Sequence, residues 1–344
     1  MNNLIDKMLF AMQQQNLVYN YNFLYYSNKE VVDSKLFYNH PDGWLYNDIG
    51  EDGEISFNNS TKSCLIQKSA GESLMTLNQV ISEFPRSEEV LCGKQITAVA
   101  VIENPKAANY NFNITFSLFD GVSDSSKIIF FKPGDKKEIN IVLNVDDNAT
   151  KLIVELKSSS PKAIIYVNKI YANIGEIALE TLPCVVNGII GERKQYIVTE
   201  NAPAEELSLC NGFSELTDEY TRLKSVINNR FGVNNATGNP YLINMGGYFS
   251  RAWDNNSGVD PDATNRKSLG NETIKGDRVS TIENDIFLKH HHGLDFSKDK
   301  QILTGDKGVA TVINLNSTSN TKDESEGKET RPKNIAELYT IKWA

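Results

Sequence analysis

Phe112-Asn113-Ile114-Thr115-Phe116-Ser117-Leu118 alternates large apolar side chains with short polar ones. An extended backbone sends successive side chains to opposite faces, so this spacing predicts a strand with one dry face and one wet face. Upstream, Ile96-Thr97-Ala98-Val99-Ala100-Val101 nearly repeats the pattern. Downstream, residues 127–131, 138–145, 151–156 and 163–172 read as further strands. Turn clusters separate them: Asp120-Gly121, Pro133-Gly134-Asp135, Asp146-Asp147-Asn148 and Ser158-Ser159-Ser160-Pro161. Short strands at such spacing predict an antiparallel β-sandwich.

The whole chain has 344 residues, enough for two or three domains. Its formal net charge is -9, which argues against a nucleic-acid footprint, because that needs a concentrated basic surface. No run approaches the roughly 18 apolar residues that span a bilayer, so no membrane insertion is expected. The first residues lack a basic stretch followed by an apolar block and a small-residue cleavage site. Synthesis in a cytoplasm without a signal peptide is the expectation. Cys64, Cys92, Cys184 and Cys210 are far apart, form no CxxC pair and have apolar neighbours, so buried free thiols are expected.

Residues 1–28 read as a helix and an attachment segment. Leu4, Ile5, Met8, Leu9 and Met12 make one apolar stripe, on a helix too short to be stable alone in water. The sandwich occupies 29–180. A second domain follows over 181–254, with a helix expected from Asp218 to Arg230. Tyr220, Leu223, Val226 and Ile227 are its apolar stripe, Thr217 or Asp218 its N-cap, and Gly232 its C-cap. Residues 242–251 read as one strand. From Asn255 to Lys333 regular patterning mostly disappears, which in a compact domain is anomalous. Disorder accounts for this, as do hydrogen-bond and packing partners on neighbouring chains. Residues 335–343 close the chain as a strand.

Three of the four histidines are consecutive, His290-His291-His292. On an extended backbone His290 and His292 point the same way and His291 away. Two imidazoles rarely hold a metal ion alone, whereas three chains around an axis bring six nitrogens to one ion. A solvated turn is the plainer alternative.

The strand layout, with Asn22-Phe23 and Gly43-Trp44 ahead of it, resembles the jelly-roll modules that bind carbohydrates. That resemblance implies a glycan site among the aromatic residues that precede the main strands, with Tyr38, Trp44 and Tyr46 as candidates. Aromatic faces stack on sugar rings, but the same rings also fill sandwich cores.

The second domain resembles the collar domain of phage tail fibres. The residues that carry this are Leu209-Cys210-Asn211-Gly212, then Tyr220 and Leu223 with Phe231-Gly232, then Tyr241 to Arg251. Ile243 and Gly246 depart from the family pattern, which has Pro and Arg there. Arg251-Ala252-Trp253-Asp254-Asn255 with Gly258, Asp260, Pro261 and Asp262 resembles the fibres' Arg-x-Trp-Asp segment. Glu329-Thr330-Arg331-Pro332-Lys333-Asn334 resembles their C-terminal signature. The likeness covers about 180–344.

It implies a mainly β chain: a jelly-roll-like sandwich, then a small α+β collar, then an intertwined trimeric tip over 255–344. It also implies a homotrimer, with Trp253 and Tyr248 packing its core and Arg251 pairing with Asp254, Asp260 or Asp262 across chains; Arg331 belongs to the same structural set. Such fibres often carry a His-x-His pair after the Arg-x-Trp-Asp segment, so His290 and His292 are candidate ligands for an axial transition metal (Fe, Zn, Ni or Co). Six nitrogens favour an octahedral ion over tetrahedral zinc.

The implied function is a receptor-binding protein of a phage or tail-like particle. Its partners would be other fibre or baseplate proteins and a cell-surface glycan or protein, and its place the virion and, after release, the extracellular medium. Two alternatives stand beside it. One is a structural connector without a receptor. The other is a polysaccharide depolymerase, for which Asp254, Asp260 and Asp262, or Asp48, Glu51, Asp52 and Glu54, would have to act as paired carboxylates. Acidic clusters in Asn/Gly-rich loops are more often solvated turns, no Ser-His-Asp or Cys-His set is evident and no β-helix repeat is visible. A non-enzymatic chain is therefore the expectation.

Overall fold

Ten strands make two five-stranded sheets in the computed structural model, which describes residues 14–27, 40–50, 53–68, 70–284 and 334–344. They are β1 (Leu45–Asp48), β2 (Glu54–Asn58), β3 (Ser63–Gln67), β4 (Met75–Val80), β5 (Gln95–Glu103), β6 (Phe112–Phe119), β7 (Asp124–Phe131), β8 (Lys136–Asn144), β9 (Ile153–Ser158) and β10 (Ile164–Ile174). One sheet has the order β1-β4-β9-β6-β7 and the other β2-β3-β10-β5-β8, and every pairing is antiparallel. The chain is mainly β, as expected, and its first part is a β-sandwich.

The alternation read in the sequence is the alternation that packs. Ile114, Phe116 and Leu118 of β6 and Val154 and Leu156 of β9 point inward with Ile165, Val167 and Ile170 of β10 and Ile139, Ile141 and Leu143 of β8. Each such side chain contributes on the order of 1.5–3 kcal/mol by leaving water. A register shift between Val167 and Lys169 puts a bulge in β10, which bends that strand locally. At the side where β7 and β8 are the sheet edges, Lys137 Nζ donates to Phe130 O at 2.6 Å and Lys127 Nζ to Asn140 O. Lysines on exposed edges hinder pairing with another chain.

A second core follows the sandwich. Three short strands, β11 (Arg193–Tyr196), β12 (Glu206–Ser208) and the chain's last strand β17 (Leu338–Lys342), form a sheet with β17 in the centre. The closing strand, grouped by its sequence position with the tip, thus hydrogen-bonds to residues some 130 positions earlier. Two-residue strands β13 (Ser214–Glu215), β14 (Tyr241–Leu242), β15 (Lys267–Ser268) and β16 (Thr281–Ile282) pair locally. Helices α1 (Ser87–Leu91) and α2 (Thr221–Ile227) complete the elements, all of which lie in one unit, Met1–Ile282 with Glu337–Ala344. No helix among the described residues is long and apolar enough to cross a membrane.

The expected helix over 218–230 is shorter. A 3-10 turn spans Asp218–Tyr220, α2 covers Thr221–Ile227, and neither Thr217 nor any other flanking side chain caps it. Its stripe is real: Leu223, Val226 and Ile227 are buried and Tyr220 meets the Trp343 ring edge-on at 5.2 Å. The C-cap is Asn228, at φ 51°, and not Gly232. Gly232 serves a close crossing instead. A Cβ there would lie 2.6 Å from Gly270 O, and one on Gly270 would lie 2.3 Å from Phe231 O.

The single strand expected over 242–251 ends at Leu242. Asn244 Oδ1 takes the Gly246 amide at 3.0 Å, a side-chain bond that competes with a strand ladder, and Gly246-Gly247 lets the chain turn. Residues 255–282 carry hydrogen bonds of their own, such as Asn265 N to Asp262 O and Ser268 N to Ile274 O. The helix expected over Asn2 to Gln15 lies outside the described residues except for its last two positions, which are not helical.

Candidate functional site

Trp44 is 0 % exposed. Its ring packs on Phe23 at 5.0 Å and its indole N–H reaches Asn20 O at 3.4 Å. A ring without an open face cannot stack on a sugar, so Trp44 is a core residue and is corrected as a ligand candidate. Tyr46 is half-buried with its hydroxyl 3.4 Å from Asp48 Oδ2. Asp48 in turn holds the buried Lys68 ammonium at 3.6 Å. Tyr38, His290, His292 and Arg331 lie outside the described residues. Among the described residues no group of three or more His, Cys, Asp or Glu side chains is arranged to hold a metal ion. The thiols are free: burial pushes that of Cys64 up to about 12, while Cys92, Cys184 and Cys210 are only partly buried. His40 is buried beside Pro41 O, and burial lowers its pKa to about 4.

The outer face of the sheet β1-β4-β9-β6-β7 is the surface that the sequence candidates missed. Its register places Asn47, Thr76, Lys157, Thr115 and Ile128 in one row across five strands. The next row is Leu45, Asn78, Glu155, Ser117 and Ser126. Beyond them lie Phe119 at one end of β6 and Phe130, opposite Asn113, at the other. Positions 113 and 119 are six residues apart, about 20 Å along a strand. Phe119 is 38 % exposed, Phe130 45 % and Ile128 74 %. Lys151 Nζ sits 5.6 Å over the Phe119 ring. Amides, hydroxyls and one Lys157–Glu155 pair, flanked by open aromatic rings, offer hydrogen bonds to hydroxyl groups and apolar faces to C–H groups. The sequence signal was available: the outward positions of β6 carry Asn113, Thr115, Ser117 and Phe119, and those of β7 Asp124, Ser126, Ile128 and Phe130, with few charges among them.

Residues 251–281 build a second surface. Asp254 closes a loop by accepting Ser257 Oγ at 2.7 Å and the amides of Gly258, Val259 and Asp260 at 2.9–3.0 Å. These hydrogen bonds hold its pKa down to about 2. Asp260 Oδ2 receives Arg266 at 2.5 Å and Arg251 at 3.6 Å. Trp253 donates its indole N–H to Asp277 O at 3.3 Å and remains 51 % exposed. Arg251, Trp253, Asp254, Arg266, Asp277 and Arg278 wall a cleft of about 180 Å³. Tyr248, Phe249 and Val259 lie open nearby in the sequence, Phe249 at 67 %.

No family model matches the chain. Protein RhiB of Rhizobium leguminosarum bv. viciae is 26% identical over 180 residues, which is 52% of this chain and 78% of that protein. Among solved structures, TmCBM61 in complex with beta-1,4-galactotriose has 11% identity and a TM-score of 0.32, over 46% of this chain and 97% of its own. The enzymatically active domain of tailspike protein 4 of bacteriophage CBA120 has 13% identity and a TM-score of 0.32, over 46% of this chain and 21% of its own. Likenesses this slight carry no weight for function.

Proposed function

We propose that the chain is a tail-fibre-like receptor-binding protein that acts as a homotrimer on a virion or tail-like particle and recognises a cell-surface glycan. The observation that carries the glycan reading is the outer face of β1-β4-β9-β6-β7. There a row of Asn, Thr, Ser, Lys and Glu side chains runs between Phe119 and Phe130. A neutral oligosaccharide lying along β6 would find donors and acceptors every second residue and an aromatic ring at each end.

The homotrimer rests on the resemblance of Leu209 to Asp254 to tail-collar domains and on the open apolar side chains of Tyr248 and Phe249 in that segment and of Val259 just after it. Open apolar side chains such as these gain by being covered by another chain. Three copies multiply a weak glycan contact by raising the effective concentration of the second and third sites.

A depolymerase fits less well. Asp254 is committed to four loop donors and stays ionised, which unfits it as a proton donor, and Asp260 is committed to two guanidinium groups. Sedimentation of the purified chain at micromolar concentration tests the trimer, and a monomer rejects it. An array of cell-surface oligosaccharides tests the binding, and silence across neutral and acidic sugars rejects it.

A further inference from the structure

The cleft beside Trp253 sets three arginines, Arg251, Arg266 and Arg278, against the carboxylates of Asp254, Asp260 and Asp277. The half-open indole forms one wall and its N–H is already satisfied by Asp277 O. Its acidic walls are not free. Asp254 is saturated by the 257–260 loop, and Asp277 Oδ2 accepts the Asn256 amide at 2.6 Å. Of the three arginines, Arg251 and Arg266 share Asp260. Arg278 is exposed, and among the described residues its guanidinium has no carboxylate partner. Arg278 also lies near enough to Arg230 to disfavour that second positive charge, after burial has already done so.

We propose that this cleft binds the carboxylate of an acidic saccharide, with Arg278 as the fork that grips the carboxylate and the Trp253 ring as the platform for the sugar. A guanidinium matches a carboxylate with two parallel hydrogen bonds, which a hydroxyl cannot replace. An indole face takes the C–H side of a pyranose ring without needing further polar contacts. This deepens the receptor-binding reading and rests on it, since it names a second sugar contact on the same protein.

The full chain is titrated calorimetrically with trigalacturonate and with 3′-sialyllactose, and with the methyl ester of each as the neutral control. Binding of at least one acid, a tenfold or greater loss with its ester, and a similar loss in both Arg278→Gln and Trp253→Ala support the site. Arg278→Lys keeps the charge without the fork and should fall between. Both variants alter exposed side chains, and circular dichroism confirms that they fold. Binding of neither acid, equal binding of acid and ester, or unchanged affinity in Arg278→Gln overturns it. A trimer that binds cells but neither acid loses this cleft and keeps its function. A chain that binds an acid through Arg278 yet no cell surface loses the receptor reading and keeps the cleft.

Discussion

Glu83, just past β4, accepts the backbone N–H groups of both Thr221 and Arg222 at the start of α2 and lies 4.0 Å from Arg222 Nε. The sandwich thereby supplies the N-terminal cap that α2 lacks in its own sequence. Arg222 returns the contact, donating to Glu83 O at 2.9 Å and to Leu17 O at 3.0 Å. Both side chains are buried. Burial pushes the Glu83 carboxyl up and the Arg222 guanidinium down, each opposed by the other's charge.

Glu83→Gln leaves the Arg222 charge buried without its partner. Breaking such a pair costs about 3 kcal/mol or more. Urea unfolding at pH 7 should show that loss, and Glu83→Gln with Arg222→Met should recover part of it, because the stranded charge is gone. Additive losses in the double variant would mean the two groups act separately.

Asp254 gives the pH dependence. Its folded pKa, about 2, lies below the ordinary 3.8. The unfolded chain therefore binds the proton first on acidification. The stability from this group is present above pH 3.8 and is lost as pH falls through about 2. Asp254→Asn should flatten that part of the stability curve between pH 4 and 2. An unchanged slope in the variant would exclude the loop clamp.

Gly270→Ala should destabilise by more than 1 kcal/mol. Its φ of +92° strains any L side chain, and the added methyl would meet Phe231 O. Gly238, at φ +74° with nothing near its would-be Cβ, carries the strain without the clash, so Gly238→Ala should cost less. Thermal unfolding of the two variants side by side checks the difference.

His290→Ala with His292→Ala should remove bound transition metal and lower the unfolding temperature of the purified protein. This follows from the fibre resemblance. Elemental analysis decides it, and equal metal in parent and variant rejects the axial site.

Local patterning made much of the fold legible. Alternation in 112–118 and 96–101 foretold β6 and β5, the run 163–172 foretold β10 to within two residues, and Leu223, Val226 and Ile227 foretold the buried face of α2. What stayed hidden depends on distant partners. Nothing near Leu338 says that its strand inserts between β11 and β12. Trp44 lies at the start of β1, where no period exists to say which way a ring turns. The 255–282 loop is held by side-chain carboxylates, Asp254 and Asp260, which leave no repeat in the sequence. The face proposed for binding was legible in principle, since its polar side chains are the wet half of the alternation that identified the core.

The most direct measurement is binding of Phe119→Ala with Phe130→Ala, beside the parent chain, to an array of cell-surface oligosaccharides. Both rings are exposed, so the unfolding midpoint should hardly move. Losing both should weaken binding of the best neutral glycan by roughly tenfold or more, about 1.4 kcal/mol. Binding equal to the parent's, in a variant that folds, would contradict the assignment of this sheet face to the receptor.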